Sequence, residues 1–127
     1  SIGWKMYMNS FQAFIANQNL KLLDEKNSIL ESVCGLYNKA FGLNNNSRHL
    51  YRVNVGDREE VMKQLKELGI GTGVHYSPLH TQELYKLDIK LPKSEEDAKT
   101  TLSIPFNEKL KVADVDYIIK EVKSVIL

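Results

Sequence analysis

A chain of 127 residues, 43% hydrophobic and 26% charged, is one domain's worth of ordinary globular sequence, and a wholly disordered reading is excluded. Seventeen basic against sixteen acidic side chains, interspersed rather than blocked, leave a net charge of +1 and no electrostatic footprint for nucleic acid or an anionic membrane. No apolar run approaches the ~20 residues of a membrane span, the first residues lack the basic and hydrophobic segments of a secretory leader, and cytoplasm is the expected compartment.

Asn9 is placed to cap a helix, with Gln12 three residues on reaching back as a capping box. From Phe11 through Phe14, Ile15, Leu22, Ile29, Leu30, Val33, Leu36 and Tyr37 to Phe41, apolar residues recur at helical spacing. The pattern predicts a helix to about Ala40, weakest from Asp24 to Ser28, and the alternatives are one rod or a helix-break-helix hairpin folded back on itself. A continuous rod of ~30 residues would be roughly 45 Å long. A compact domain of this size has a radius of gyration of about 14 Å, so the rod would overhang and leave Phe11 and Phe14 facing water unless another body of protein lay against them. Cys34, the only cysteine, excludes an intrachain disulfide and reads as a buried structural thiol of this helix.

After a turn at Gly42 to Asn46, residues His49 to Val55 alternate, with His49, Tyr51, Val53 and Val55 on one face, and predict a first strand. On that face His49 reads as a hydrogen-bonded core histidine. Asp57 and Glu60 form a second capping-box pair, ahead of an amphipathic helix carrying Val61, Met62, Leu65 and Leu68 and stopped at Gly69. A second strand is expected over Ile70 to His75, its glycines at 71 and 73 leaving one face bare for close approach. Leu84, Tyr85 and Leu87 suggest one or two helical turns, Ser94 a cap for a helix begun by Glu95, Glu96 and Asp97, and Leu102 with Ile104 a brief third strand ended by Pro105. Val115, Ile118, Ile119, Val122, Val125 and Ile126 mark a closing helix.

Strand, helix, strand, strand, helix is the grammar of a split β-α-β unit. The expected fold is α/β (α+β): a small two-layer sandwich with a three-stranded, mostly antiparallel sheet. The third strand would lie between the first two, with helices on one face and the long N-terminal helix alongside. One domain spans 1–127, divided into a linking helix region, 1–41, and the sandwich, 47–127.

No self-sufficient active site is visible, so no catalytic residue is assigned and no metal is expected. His75 and His80 are five apart across a proline loop with no cysteine or carboxylate beside them. No nucleophile elbow supports a triad built on Ser77, and the glycines at 69, 71 and 73 lack the helix and lysine of a phosphate loop. His75 and Tyr76, leaving a strand end into a loop with His80 beyond, form a candidate ligand rim.

Gly3 to Met8 followed by Asn9-Ser10-Phe11-Gln12-Ala13, Leu20 through Asp24 to Tyr37, Ser47-Arg48-His49-Leu50-Tyr51, Leu68 to Tyr76 with His80, and Leu102-Ser103-Ile104-Pro105-Phe106 together carry a likeness. In this order and spacing, over nearly the whole chain, the sequence resembles the C-terminal domain of the DegT/StrS family of nucleotide-sugar aminotransferases, which use pyridoxal phosphate. The resemblance implies a small domain packed beside an upstream cofactor-binding domain that supplies the Schiff-base lysine, and a homodimer sharing each active site. It also implies a nucleotide-linked keto sugar as substrate, an amino donor, and a chain that is inert alone. Where the family reads Gly-x-Asn-x-Arg-Met, the asparagine reaching a cofactor phosphate and the arginine lying near the substrate, this chain has Lys5 and Tyr7. Lys5 is carried over as a cofactor-phosphate contact acting as a point charge. A pair of family arginines in the next helix is Leu30 and Glu31 here, departures that suggest a divergent branch or a partner-type paralogue. His75, Tyr76 and His80 match the family's loop and are carried over as substrate-side contacts. The alternative from a different class is a free-standing, non-catalytic α/β module that binds a small ligand or a protein.

Overall fold

The computed structural model describes residues 7–85 and 87–126. Five α-helices and two strands follow one another as α1 (Ser10–Leu20), α2 (Leu23–Phe41), β1 (Tyr51–Asn54), α3 (Arg58–Glu67), α4 (Pro92–Thr100), β2 (Thr101–Ile104) and α5 (Val112–Ile126). Two 3₁₀ turns, Leu79–Thr81 and Glu83–Tyr85, fill the segment where only short helical turns were expected.

Local chemistry accounts for most boundaries. The Asn9 carboxamide accepts from Gln12 N at 2.9 Å while the Gln12 side chain accepts from Asn9 N at 3.0 Å, so the capping box opening α1 is complete. Asp57 caps α3 by accepting from Glu60 N, but the Glu60 carboxylate turns instead to Gln64, and the reciprocal half of that box is not made. The last helix before the final strand starts at Pro92, three residues earlier than the Glu95 that a cap at Ser94 suggested. Pro92 occupies its first turn, where a missing N–H costs nothing, and a carboxylate oxygen of Glu95 accepts from Leu91 N at 2.9 Å. Gly42 and Gly69 close α2 and α3 with φ of 67° and 76°, conformations that side chains with a Cβ rarely adopt.

Neither alternative for the N-terminal region is realised. The helix breaks at Lys21 and Leu22, ahead of the polar run 24–28, whose residues lie inside α2. Yet α1 does not fold back: it buries none of its residues, and Phe11 and Phe14 remain 71% and 60% exposed. The overhang anticipated from the sequence is therefore present on a shorter helix.

The sandwich class holds with fewer strands. β1 and β2 pair antiparallel, Tyr51 opposite Ile104 and Val53 opposite Leu102. The expected strand over 70–75 reduces to one bridge, in which Gly73 and Ser103 exchange two backbone bonds of 3.0 and 2.8 Å. β2 thus lies between β1 and Gly73, antiparallel to both, in the anticipated order. Thr100 ends α4 and Thr101 begins β2 with no residue between them, and Val55 N holds the junction through Thr100 O at 2.9 Å.

One face of the sheet, Tyr51, Val53, Leu102 and Ile104, is buried with Val33, Tyr37, Leu65, Ile70, Val115, Ile118 and Val122 from the surrounding helices. Tyr37 stacks at 4.9 Å from the Tyr51 ring and donates its hydroxyl to Pro105 O at 2.9 Å. The Tyr51 hydroxyl donates to Asn38, whose carboxamide also clasps the backbone of Asn45. Burial pushes the Tyr51 phenol up to about 12, with the neighbouring Cys34 adding to the shift, and raises Tyr37 and Cys34 as well. These groups stay neutral, and Cys34, its thiol donating to Asn45 O, is the structural residue expected. His49 is corrected: β1 starts at Tyr51, and His49 is exposed in the preceding loop.

Candidate functional site

The opposite face of the sheet is polar and open. Arg52 faces Ser103 across the strands and Asn54 faces Thr101, so these four side chains stand on the side away from the core. Against them lies a cavity of ≈ 620 Å³, walled by the first turns of α4 and by the segment 74–76, with Arg52, Val74, His75, Tyr76, Lys93 and Asp97 on its surface. A second hollow of ≈ 370 Å³ shares Arg52, Asp97 and Thr101 with it and continues past Asn54 to Asn44 and Asn45, making one trough across the open face.

The bridge at Gly73 fixes the rim. The His75 imidazole folds back over this glycine, and a Cβ placed there would lie 2.6 Å from His75 Cε1. The bare strand face is therefore filled by the chain's own imidazole at Gly73, while Gly71 faces open space. The His75–Tyr76 peptide bond is cis, and the two rings meet edge to face with centroids 5.0 Å apart. Tyr76 projects into solvent, 70% exposed, whereas His75 is half-buried and its Nδ1 has no hydrogen-bond partner.

His80 is separated from this pair. It is buried, its Nε2 lies 3.1 Å from the Glu95 carboxylate, and its carbonyl accepts from Leu87 N. The same Glu95 oxygen holds Leu91 N, so His80 ties the 3₁₀ turns to the start of α4. The Leu91 amide, and after it His80, hold the Glu95 carboxyl below the ordinary carboxylate range. His80 lines a different hollow of ≈ 640 Å³ among Leu79, Leu84, Leu87 and Ile89. The structure thus brings His75 and Tyr76 together and sets His80 behind them. Lys5 lies outside the described residues. Leu30 is buried, and Glu31 pairs with Arg48 at the surface.

The pyridoxal phosphate implied by the resemblance, held through a Schiff base, requires a lysine whose amine is shielded from water. Lys93, the lysine on the cavity beside His75 and Tyr76, is exposed, and the described residues do not fit that group. Among them there is also no cluster of three or more His, Cys, Asp or Glu suited to a metal ion, and no helix long and apolar enough to cross a membrane. The residue that sequence reasoning passed over is Arg52, which looked like any outward-facing strand residue; its alternation with Tyr51 and Val53 marked the face but not the trough.

Comparison with known proteins places these features in context. The chain is 31% identical over 150 aligned positions to the spore coat polysaccharide biosynthesis protein SpsC of Bacillus subtilis, covering 99% of this chain and 39% of that protein. Its fold superposes on the aminotransferase TlmJ from Streptoalloteichus hindustanus with a TM-score of 0.85 at 24% identity, over 98% of this chain and 38% of that one. The PLP-form of the sugar aminotransferase Spr1654 from Streptococcus pneumoniae matches with a TM-score of 0.82 at 24% identity, over 93% of this chain and 36% of that one. The chain thus spans about two fifths of the length of these relatives, and the model of the DegT/DnrJ/EryC1/StrS aminotransferase family matches its residues 1–123. A domain with this sandwich, this rim and this extent of match belongs to the DegT/DnrJ/EryC1/StrS aminotransferase family.

Proposed function

We propose that this chain is the small-domain part of a cytoplasmic, pyridoxal-phosphate-dependent aminotransferase that aminates a nucleotide-linked keto sugar, and that it is inert without the cofactor-binding domain. The observation that carries the reading is α1: a well-capped helix that buries none of its own residues and holds Phe11 and Phe14 in water, in a chain spanning about two fifths of its relatives. Such an exposed apolar face marks a surface that another protein covers. The cofactor domain, and a second subunit sharing the active site, are the bodies that fit.

In this reading the Schiff-base lysine comes from the cofactor domain, and this chain's residues bind and orient. His75 and Tyr76 meet the sugar, the phenol offering a hydroxyl and an apolar ring face from an exposed position. Lys5 serves as a point charge toward a phosphate. His80 acts one step back: its bond to Glu95 holds the start of α4, and so the far wall of the cavity, against the rim.

Co-expression with a cofactor-domain half from a family member tests the proposal. The expected result is a complex with the visible absorbance of bound cofactor and glutamate-dependent amine transfer to a nucleotide-linked keto sugar. A colourless, inactive complex would overturn it.

A further inference from the structure

The uncommitted polar groups of the molecule gather at one place. Of the three arginines in the sequence, Arg48 pairs with Glu31 and Arg58 donates to Ala98 O, whereas the Arg52 guanidinium has no hydrogen bond or ion pair among the described residues. Ser103, the residue opposite Arg52 in the sheet, is buried with its hydroxyl unpartnered, and His75 Nδ1 is likewise unpartnered. Those are the two buried side-chain polar atoms without a partner among the described residues, and both adjoin the Gly73–Ser103 bridge. Arg52, Ser103 and Gly73 with its overlying imidazole therefore form a row across three adjacent backbones on the open side of the sheet. Buried polar atoms in folded proteins are nearly always paired; of these two, His75 belongs to a residue that lines the cavity, and Arg52 stands on the same cavity with its donors uncommitted, an arrangement suited to a polar ligand.

The trough has a graded character along its length. Near Tyr76 it is aromatic and apolar, with Val74, Leu91 and Pro92; at its other end it offers the carboxamides of Asn44, Asn45 and Asn54. Arg52 stands where the two hollows join, with Lys93 on one wall and the Asp97 carboxylate on the same stretch, leaving one net positive charge. A planar guanidinium that no carboxylate has claimed is suited to grip two oxygens of a phosphate at once.

From this arrangement we infer that Arg52 is the anion-gripping and specificity-determining residue of a nucleoside-diphosphate subsite on the open sheet face. The diphosphate lies at the join of the two hollows, and the uncharged parts of the ligand extend along the trough to either side. The inference rests on the nucleotide-sugar reading above but concerns a residue and a face that the reading leaves unassigned.

The test titrates uridine diphosphate, uridine and inorganic phosphate into the full 127-residue chain, followed by ¹⁵N-resolved NMR. Uridine diphosphate is expected to shift the Arg52 side-chain N–H together with the amides of Thr101 and Tyr76, and uridine is expected to shift none of them at the same concentration. Arg52→Ala should weaken uridine diphosphate by about 10- to 100-fold, Arg52→Lys should recover part of the loss, and Asp97→Asn should tighten binding by a few fold. Unchanged affinity in Arg52→Ala, shifts centred away from Arg52, no binding at all, or inorganic phosphate binding as tightly as the nucleotide would each overturn the inference. None of these results bears on amine transfer by the co-expressed complex, so the two readings fail separately.

Discussion

Replacing Gly73 by alanine isolates the contact that shapes the rim. The backbone at 73 is not in the left-handed region, so alanine is tolerated conformationally, and loss of glycine's freedom in the unfolded chain stabilises by about 0.4–1 kcal/mol. Against that, the new Cβ would stand 2.6 Å from His75 Cε1, and the ring must retreat by about 0.8 Å to reach ordinary contact at 3.4 Å. Moving the imidazole off its rotamer costs about 0.5–1.5 kcal/mol. The two effects nearly cancel in the otherwise native chain, where Gly73→Ala is expected to shift stability by no more than about 1 kcal/mol. In a His75→Ala background the clash is gone, and the same substitution should stabilise by the full 0.4–1 kcal/mol or so. Urea denaturation of the four proteins followed by circular dichroism gives the coupling, expected near 1 kcal/mol. The His75 Hε1 resonance, whose carbon the new methyl would meet, should move in Gly73→Ala. Coupling below about 0.3 kcal/mol with an unmoved His75 resonance would refute the packing of that ring on Gly73.

Other outcomes follow from contacts already described. Glu95→Ala removes the acceptor shared by Leu91 N and His80, and should lower the melting temperature at neutral pH. Because the folded-state carboxyl titrates below its ordinary 4.5, this contribution is fully present above that pH and is lost as the pH falls through the folded value. The gap between native and variant chains in pH-dependent melting should therefore close on the acid side, and a gap that widened there would contradict the assignment. Tyr37→Phe leaves the Pro105 carbonyl without its 2.9 Å donor and should cost about 1–2 kcal/mol, read as a drop of roughly 4–8 °C in thermal denaturation. Phe11→Ser with Phe14→Ser should change unfolding free energy by less than about 0.5 kcal/mol while reducing self-association in sedimentation velocity, since α1 buries nothing.

What the sequence discloses depends on how far apart the interacting residues lie. The Asn9–Gln12 box sits within four residues and the Tyr51–Val53 alternation within three, so both are legible by eye. The alternation of Ile70, Thr72 and Val74 is equally clear, yet a strand also needs a partner along its length, and only Gly73 finds one. The break at Lys21 lies in a run whose helical spacing continues on either side, so periodicity cannot locate it. His80 and Glu95 are fifteen residues apart, and nothing in the local pattern joins them. For the same reason the burial of His80 against Glu95, behind His75 and Tyr76, has no local sign in the loop sequence. Arg52 is the reverse case: its position on the strand was legible, but its lack of any partner emerges only when every neighbour is in place.

The direct passage from Thr100 to Thr101 sets the gauge of the trough. One bank is the helix and the bed is the strand that follows it, and no slack chain separates them to absorb a displacement. A guest too wide for the channel would have to drag the middle strand off its neighbours or unwind the last helical turn, each at the cost of several backbone hydrogen bonds. In the proposed subsite the width of the channel would thereby be set by a single peptide link, and the bank free to give is the opposite one, residues 74–76, which among the described residues hold no backbone bond to the sheet beyond the Gly73 bridge.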